Sequence, residues 1–193
     1  MPHSRDSYFF FWKPDTQHGW ASQWYPSPFK ARIDITVPTH DIAIRTDEQY
    51  EFPTAEHWMM ACKAALFGDD AVLAKVLAAD AGDMRYVKAL GREVQKFEDK
   101  VWKAAREEAV FWGNMHKFRQ NEELKETLLA TGERVLVEAS PRDRIWGIGF
   151  GEKRALDVKE RWGLNLLGKA LERVREVLKE EERKENNDEG TVA

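Results

Sequence analysis

The chain has a single cysteine, Cys62, and no long uninterrupted apolar run among its 193 residues. Cys62 has no partner for an internal disulfide, and it lies in an apolar, helix-like stretch rather than in a C-x-x-C pair. We therefore expect an inert, buried thiol. No segment approaches the roughly 20 apolar residues of a membrane span, and the start of the chain lacks an apolar signal core. These absences predict a reducing, cytoplasmic compartment and no membrane partner.

The sequence also lacks the motifs of several large enzyme classes. G-x-G-x-x-G, a Walker-A loop, a G-x-S-x-G elbow and H-E-x-x-H are absent, which argues against dinucleotide dehydrogenases, P-loop enzymes, serine hydrolases and zinc proteases. Positive charge is not in surplus: the net charge is -4 and the pI is near 5.8. Without a broad basic field, a phosphate-bearing small molecule fits better than a long duplex.

Helix-forming sequence dominates the chain behind a strand-rich first third. Strands are predicted at 8–12, 33–37, 48–52 and 134–138. Helices are predicted at 55–66 behind an N-cap at Thr54, and at 70–79, 84–90, 98–119, 122–129 and 165–185. This order predicts an α+β fold, a mainly helical single domain around a small β-sheet. The domain is expected over residues 1–178, with 179–193 a charged helix end and a disordered tail from 186.

The helix that begins after Thr54 carries charged side chains that could meet one ligand. Glu56 lies in its first turn, where the helix dipole favours an ionised carboxylate. Lys63 follows on nearly the same face, about 10 Å along the axis. A surface glutamate and a surface lysine are the alternative. His57 points about 100° away from Glu56, so the two do not automatically form a dyad.

A second candidate region begins where the strand at 134–138 ends. Its polar loop contains Asp143 and leads to Trp146, and such loops hold reactive groups on a rigid base. Gly147 lets the backbone approach a ligand closely, and Trp146 could stack on a heterocycle. Turn chemistry around a core tryptophan is the alternative.

Three weaker signals each allow two interpretations. Gly91, between Lys88 and Arg92, predicts either a helix C-cap or a cationic phosphate contact. The segment 117–121 is either a helix terminus or an anion-binding edge. Asn165 is more often a helix N-cap than a ligand.

Taken in order, these pieces form a series across roughly residues 8–175. The series is Gly19-Trp20-Ala21-Ser22-Gln23-Trp24-Tyr25-Pro26-Ser27-Pro28-Phe29, Thr54-Ala55-Glu56-His57 with Lys63-Ala64, Leu90-Gly91-Arg92, Trp102, Lys117-Phe118 with Gln120-Asn121, Glu138-Ala139-Ser140 with Asp143, Trp146-Gly147-Ile148-Gly149, and Gly163-Leu164-Asn165-Leu166-Leu167-Gly168. It resembles the NADAR family of YbiA-like proteins. Two departures leave the substrate open: Ala21 replaces a larger apolar residue, and Gln23-Trp24 replaces the commoner Asn-Phe.

The resemblance implies an enzyme that cleaves N-glycosidic bonds and needs no cofactor or metal. Its implied substrates are phosphorylated ribosylamino-pyrimidine intermediates of riboflavin biosynthesis, or ADP-ribose attached to guanine in a nucleotide or nucleic acid. A non-catalytic sensor of ADP-ribose or a related nucleotide is the alternative, and a structural protein using the charged C-terminal helix is a third hypothesis. The oligomeric state is left open.

The chemistry of a ribose C–N bond assigns roles to the residues of the series. Cleavage develops positive charge on the sugar and negative charge on the departing nitrogen. We predict that Glu56 orients or activates the nucleophile, Asp143 stabilises the sugar cation or exchanges protons, and Lys63 binds phosphate or attacks as an amine through a Schiff base. The predicted substrate-binding residues are Trp102 and Trp146 for base stacking, Arg92, Lys117 and Asn121 for phosphates or ribose hydroxyls, and also Trp20, Ser22, His57, Glu138, Gly147 and Asn165.

Overall fold

Helices make up most of the chain in the computed structural model, which describes residues 4–190, the side chains at 38 and 188–190 excepted. The α+β class with a small amount of sheet is confirmed. The chain divides into two compact units. Ser22–Gln120 forms the central unit, and the segments before and after it form the flanking unit.

The central unit begins with an antiparallel hairpin of β2 (Phe29–Val37) and β3 (Ile42–Phe52). Alternate residues of β2 are buried, as expected for a strand with one face on a core. Both strands start earlier than predicted. The first half of β3 has a mixed pattern, and its pairing with β2 extends the strand where local sequence gives little signal.

Four helices complete the central unit: α1 (Ala55–Leu66), α2 (Asp70–Leu77), α3 (Met84–Glu93) and α4 (Asp99–Arg119). The predicted bounds of α1 are confirmed, because the Thr54 hydroxyl caps the helix by accepting a hydrogen bond from the His57 amide. Helix α4 packs on α1 and on β2, and the Trp58 indole donates to the Ala109 carbonyl over 2.8 Å.

The expectation that Gly91 caps a helix end is wrong, because α3 continues through it to Glu93. A Cβ atom at Gly91 would lie 2.0 Å from the sulfur of Met60. Glycine is therefore needed for the close approach of α1 and α3 rather than for a left-handed turn.

The flanking unit contains β1 (Tyr8–Phe11) and β4 (Val135–Glu138), which pair in parallel from Tyr8 opposite Val135 to Phe11 opposite Glu138. Its helices are α5 (Glu122–Leu129), the short α6 (Glu152–Ala155), which was not predicted, and α7 (Leu166–Gly190), which packs on β4. Helix α7 passes its predicted end at 185, so the tail expected from 186 is helical as far as Gly190. Residues 191–193 lie outside the described residues.

The buried character predicted for Cys62 is confirmed. Its side chain is fully buried in α1, and burial raises the pKa of the thiol well above its usual range, which keeps it protonated and unreactive. In residues 4–190, no helix has both the length and the apolarity needed to cross a membrane.

Candidate active site

The Glu56 carboxylate lies at the buried start of α1. Its residue is 3% exposed, so the alternative of a surface glutamate is wrong. The Glu56 amide donates to the Gln23 carbonyl over 3.0 Å, and this bond holds the segment before β2 against the first turn of the helix. An acidic group in that position is stabilised by the helix dipole.

Lys117, near the end of α4, is fully buried. Its Nζ donates to the Ser22 carbonyl over 3.1 Å and lies 5.6 Å from the ring centroid of Tyr25. Burial disfavours the charged form and lowers the pKa of Lys117 to about 7. A large share of this amine is therefore uncharged near neutral pH, and an uncharged amine is a nucleophile.

Glu56 and Lys117 are tied to neighbouring residues of the chain. The Ser22 carbonyl accepts from Lys117, and the Gln23 carbonyl accepts from the Glu56 amide. The segment at Ser22 and Gln23 thus links the start of α1 to the end of α4. All four residues belong to the central unit, so one segment of that unit accepts hydrogen bonds from the main chain of Glu56 and from the side-chain amine of Lys117.

Lys63 has a different environment at the other end of α1. Its Nζ donates to the Gly91 carbonyl and lies 4.1 Å above the ring centroid of Phe97. Partial burial lowers the pKa of Lys63, and the positive charge of Arg92 lowers it further. Within the part of the chain that the structure describes, neither Lys63 nor Arg92 pairs with a carboxylate, and Lys63 forms no hydrogen bond with Glu56.

His57 uses both ring nitrogens within the fold. Nδ1 lies 2.9 Å from the Thr54 hydroxyl and Nε2 lies 3.3 Å from the Ala79 carbonyl. Since a carbonyl only accepts, Nε2 carries the proton, and burial lowers the pKa of the ring. His57 is therefore a neutral, buried histidine that fixes the start of α1. Across residues 4–190, no three His, Cys, Asp or Glu side chains form a metal-binding group.

The remaining predicted residues of the central unit are Ser22, Trp102 and Arg92. The Ser22 hydroxyl accepts from the Trp24 amide over 3.2 Å, so both polar groups of Ser22 are engaged. Trp102 is half-buried in the first turns of α4, and Arg92 is exposed near the end of α3.

In the flanking unit, Asp143 braces the turn that presents Trp146. Its Oδ1 accepts from the amides of Ile145 and Trp146, each over 2.8 Å. Trp146 is half-buried, and a Cβ at the following Gly147 would lie 2.7 Å from the Glu138 carbonyl. The glycine lets this loop pass close to the end of β4, whereas the close approach to a ligand predicted for Gly147 stays a prediction.

Asn165 supplies hydrogen bonds that a neighbouring strand would otherwise give to β4. Its Oδ1 accepts from the Glu138 amide over 3.0 Å, and its Nδ2 donates to the Leu136 carbonyl over 2.8 Å. The half-buried Glu138 is thereby fixed at the strand end. Trp20 is 8% exposed with its ring 5.6 Å from that of Phe9, and Asn121 precedes α5 without capping it through its side chain.

Sequence reasoning missed three residues next to the predicted ones: Tyr25, Phe97 and Asn114. Asn114 is fully buried and lies three positions before Lys117 on α4. A polar residue on the buried face of an amphipathic helix was the available signal for Asn114. Phe97 lies between helices, where sequence alone does not show which charge it contacts.

Comparison with known proteins assigns the family. Residues 10–179 match the model of the NADAR domain. The chain is 40% identical over 157 residues to an N-glycosidase of Acanthamoeba polyphaga mimivirus, covering 80% of this chain and 85% of the relative. It is 33% identical over 171 residues to a riboflavin biosynthesis protein of Vibrio vulnificus, covering 89% of this chain and 38% of that longer relative.

A solved structure agrees in fold. The NMR structure of YbiA from Escherichia coli superposes with a TM-score of 0.65 at 23% identity, covering 93% of this chain and 89% of that one. The chain therefore belongs to the NADAR domain family, and the resemblance found in its sequence is confirmed.

Proposed function

We propose that this enzyme hydrolyses the bond between a ribose carbon and a base nitrogen, with ADP-ribosylated guanine or a phosphorylated ribosylamino-pyrimidine as its substrate. Hydrolysis of N-glycosyl bonds is the activity in the name of its mimivirus relative, and riboflavin biosynthesis is the process in the name of its Vibrio relative. The observation that carries the proposal is the pair of buried groups, Glu56 and Lys117, held by Ser22 and Gln23.

Lys117 is the nucleophile in this proposal, a role that the sequence suggested for Lys63. Its neutral amine attacks the sugar carbon, a C–N bond to Lys117 forms, and the C–N bond to the base breaks. The nitrogen of Lys117 loses a proton and the departing base gains one. Water then replaces Lys117 on the sugar carbon and regenerates the free amine. The lowered pKa of Lys117 supports this role, because a lysine at its usual pKa is almost wholly protonated at pH 7.

Glu56 serves the proton transfers of both steps. In the first step it accepts the proton from Lys117 and passes it to the departing nitrogen of the base. In the second step it accepts a proton from the attacking water and passes it to the nitrogen of Lys117 as that nitrogen leaves the sugar carbon. Its negative charge also stabilises the positive charge that develops on the sugar. The burial of Glu56 supports the role, since electrostatic interactions strengthen away from water.

Lys63 and Arg92 bind substrate phosphate. Two neighbouring cations without a carboxylate partner repel each other, as the lowered pKa of Lys63 reflects, and a phosphate relieves that repulsion. Both substrate classes carry phosphate, so this assignment fits either one. Of the two roles predicted for Lys63, phosphate binding and nucleophilic attack, this assignment gives it phosphate binding.

Two of the predicted residues of the flanking unit have described side-chain hydrogen bonds within the fold. Asp143 and Asn165 are positioning residues in this proposal, because their described hydrogen bonds fix the loop of Trp146 and the end of β4. Stacking by Trp20, Trp102 or Trp146 and contacts from Asn121, Glu138 or Gly147 stay predictions, as does the polar contact predicted for His57.

Product analysis tests the proposal. Purified enzyme is incubated in metal-free buffer with ADP-ribosylated guanosine or with a ribosylamino-pyrimidine phosphate, and released base is measured by mass spectrometry. We expect release from one substrate, its loss in Glu56→Gln, and its retention in Glu48→Gln, an exposed glutamate of β3. Nucleotide binding without release from either substrate would favour the sensor and overturn the catalytic proposal.

A further inference from the structure

Two buried amides lie beside the groups assigned to catalysis. Gln23 is 6% exposed and Asn114 is fully buried. Asn114 Nδ2 donates to the Val110 carbonyl over 2.8 Å and to Gln23 Oε1 over 2.9 Å. Because the Val110 carbonyl can only accept, it fixes the orientation of Asn114, and Asn114 in turn fixes the orientation of Gln23.

This fixed orientation leaves one donor and one acceptor open. Gln23 Nε2 and Asn114 Oδ1 are buried and have no hydrogen-bond partner among residues 4–190. Buried polar atoms in folded proteins are nearly always paired, with protein, ordered water or a ligand. The pair therefore requires a guest that accepts from Gln23 and donates to Asn114.

The open pair is joined directly to the proposed catalytic groups. The main chain of Gln23 accepts the Glu56 amide, and the adjacent Ser22 carbonyl accepts Lys117. On α4, Asn114 precedes Lys117 by about one helical turn, so the two side chains lie on one face of the helix. A guest at the amide pair is thus close to the residues assigned to bond cleavage.

We propose that Gln23 Nε2 and Asn114 Oδ1 recognise the departing base through a lactam edge, the ring carbonyl accepting from Gln23 and the adjacent ring N–H donating to Asn114. Guanine and those pyrimidines with a ring carbonyl beside a ring N–H carry this edge, whereas adenine and diaminopurine do not. The inference builds on the proposed function and names what its site selects: a base with a lactam, whichever of the two sugar classes is attached. A pocket that hydrogen-bonds both groups rejects an analogue that lacks them.

Equilibrium binding of nucleosides tests the inference without requiring turnover. We expect the unmodified enzyme to bind guanosine at least about 10-fold more tightly than 2,6-diaminopurine riboside, which has an amino group in place of the carbonyl. It should also bind guanosine at least about 10-fold more tightly than 1-methylguanosine, which lacks the ring N–H. Equal binding of all three nucleosides would overturn the inference, and no variant is needed for this result.

Substitution then locates the recognition. Gln23→Glu keeps the shape of the side chain and the acceptor for Asn114 but removes the donor, so the preference for guanosine over the diaminopurine should fall to within about 2-fold. Gln49→Glu, at an exposed position of β3, is the matched control and should retain the preference for guanosine. Retained preference in a folded Gln23→Glu protein, checked by thermal melting, would show that the amides hold only water.

The two proposals fail in different experiments. A lactam preference without release of base from any ribosylated substrate would refute hydrolysis and leave base recognition standing. Release of base by an enzyme that does not distinguish guanosine from its two analogues would refute base recognition and leave hydrolysis standing.

Discussion

Lys117 and Lys63 are two lysines of the same unit with opposite surroundings. Lys117 is fully buried beside Ser22, and its pKa falls to about 7 because burial disfavours its charge. Lys63 is only partly buried, lies over the Phe97 ring, and has Arg92 as a neighbour. Burial favours an uncharged amine, which suits the proposed nucleophile, whereas two neighbouring cations favour a bound anion, which suits the proposed phosphate site.

Loss of either buried group, Glu56 or Lys117, should have the greatest effect on catalysis. Lys117→Met and Glu56→Gln should each lower kcat by about 10³-fold, because each removes a group that acts in bond cleavage. Lys100→Met, an exposed lysine of α4, is the control and should leave kcat unchanged. An equal loss of kcat in Lys63→Met and Lys117→Met, measured by steady-state kinetics, would contradict the different roles proposed for the two lysines.

A covalent adduct would show which of the two lysines forms a bond to the sugar. Attack of neutral Lys117 on the sugar carbon gives a glycosylamine, which becomes a Schiff base when the C–O bond of the sugar ring opens. Borohydride reduces that Schiff base, so reduction during turnover should trap sugar on Lys117, and peptide mass spectrometry should find none on Lys63. Reduction of Lys100→Met should give the same adduct as the unmodified enzyme. Adduct on Lys63 would exchange the two roles.

Loss of Lys63 or Arg92 should weaken substrate binding and leave the rate of bond cleavage nearly unchanged. Lys63→Met and Arg92→Met each remove a charge-assisted hydrogen bond to phosphate, so KM should rise about 10- to 100-fold while kcat stays within about 3-fold. A substrate analogue without phosphate should show almost no difference between the variants and the unmodified enzyme. A large fall in kcat with KM unchanged would contradict the assignment.

The stability of the fold should rise with pH, as kcat does, because the buried amine of Lys117 loses its proton. The pKa of Lys117 is about 7 in the folded state and near 10.5 in the unfolded state, so the unfolded chain binds more protons between these values and stability rises with pH across that window. Below pH 7 both states are protonated and the penalty for the buried charge is complete.

Lys117→Met removes this penalty. Its gain in unfolding free energy over the unmodified enzyme should be larger near pH 6 than near pH 9.5 by on the order of 3 kcal/mol. Chemical denaturation at both pH values measures the difference, and Lys100→Met should show none. A pH-independent effect would mean that the amine is not held in a desolvated site.

The smallest expected effect concerns the ring under Lys63. Phe97→Leu removes a cation–π contact at a partly exposed position, so KM should change by less than about 5-fold and kcat should not change. Steady-state kinetics at varied concentrations of a phosphate-bearing substrate measure both constants. An effect as large as that of Arg92→Met would show that Phe97 itself contacts the substrate.

Local sequence signals predicted the helices better than the strands. Thr54 as a cap and the periodicity after it gave the bounds of α1, and α5 was likewise predicted from 122 to 129. The first half of β3 was missed because its sequence is of mixed polarity, and it becomes a strand by pairing with the nearby end of β2, with Ile42 opposite Val37. Gly91 was misassigned because its requirement comes from Met60 on another helix, which no local pattern shows.

The membership of the candidate site stays a prediction, and the structure adds the burial of its residues. Glu56, Lys63, Arg92 and Lys117 were all identified from the sequence, but the distinction between the two lysines depends on burial. That burial arises from packing of α4 with the segment at Ser22 and Tyr25, which is a tertiary feature. The structure therefore separates a fully buried lysine from a partly buried one, and the proposed roles depend on that difference.

The pH dependence of kcat in the unmodified enzyme and in Lys63→Met tests the central claim most directly. We predict that kcat rises with pH through a pKa of about 7 as Lys117 loses its proton, and that Lys63→Met retains the same rise. A profile without a rise near pH 7, or one whose rise disappears in Lys63→Met, would contradict the assignment of Lys117 as the reactive amine.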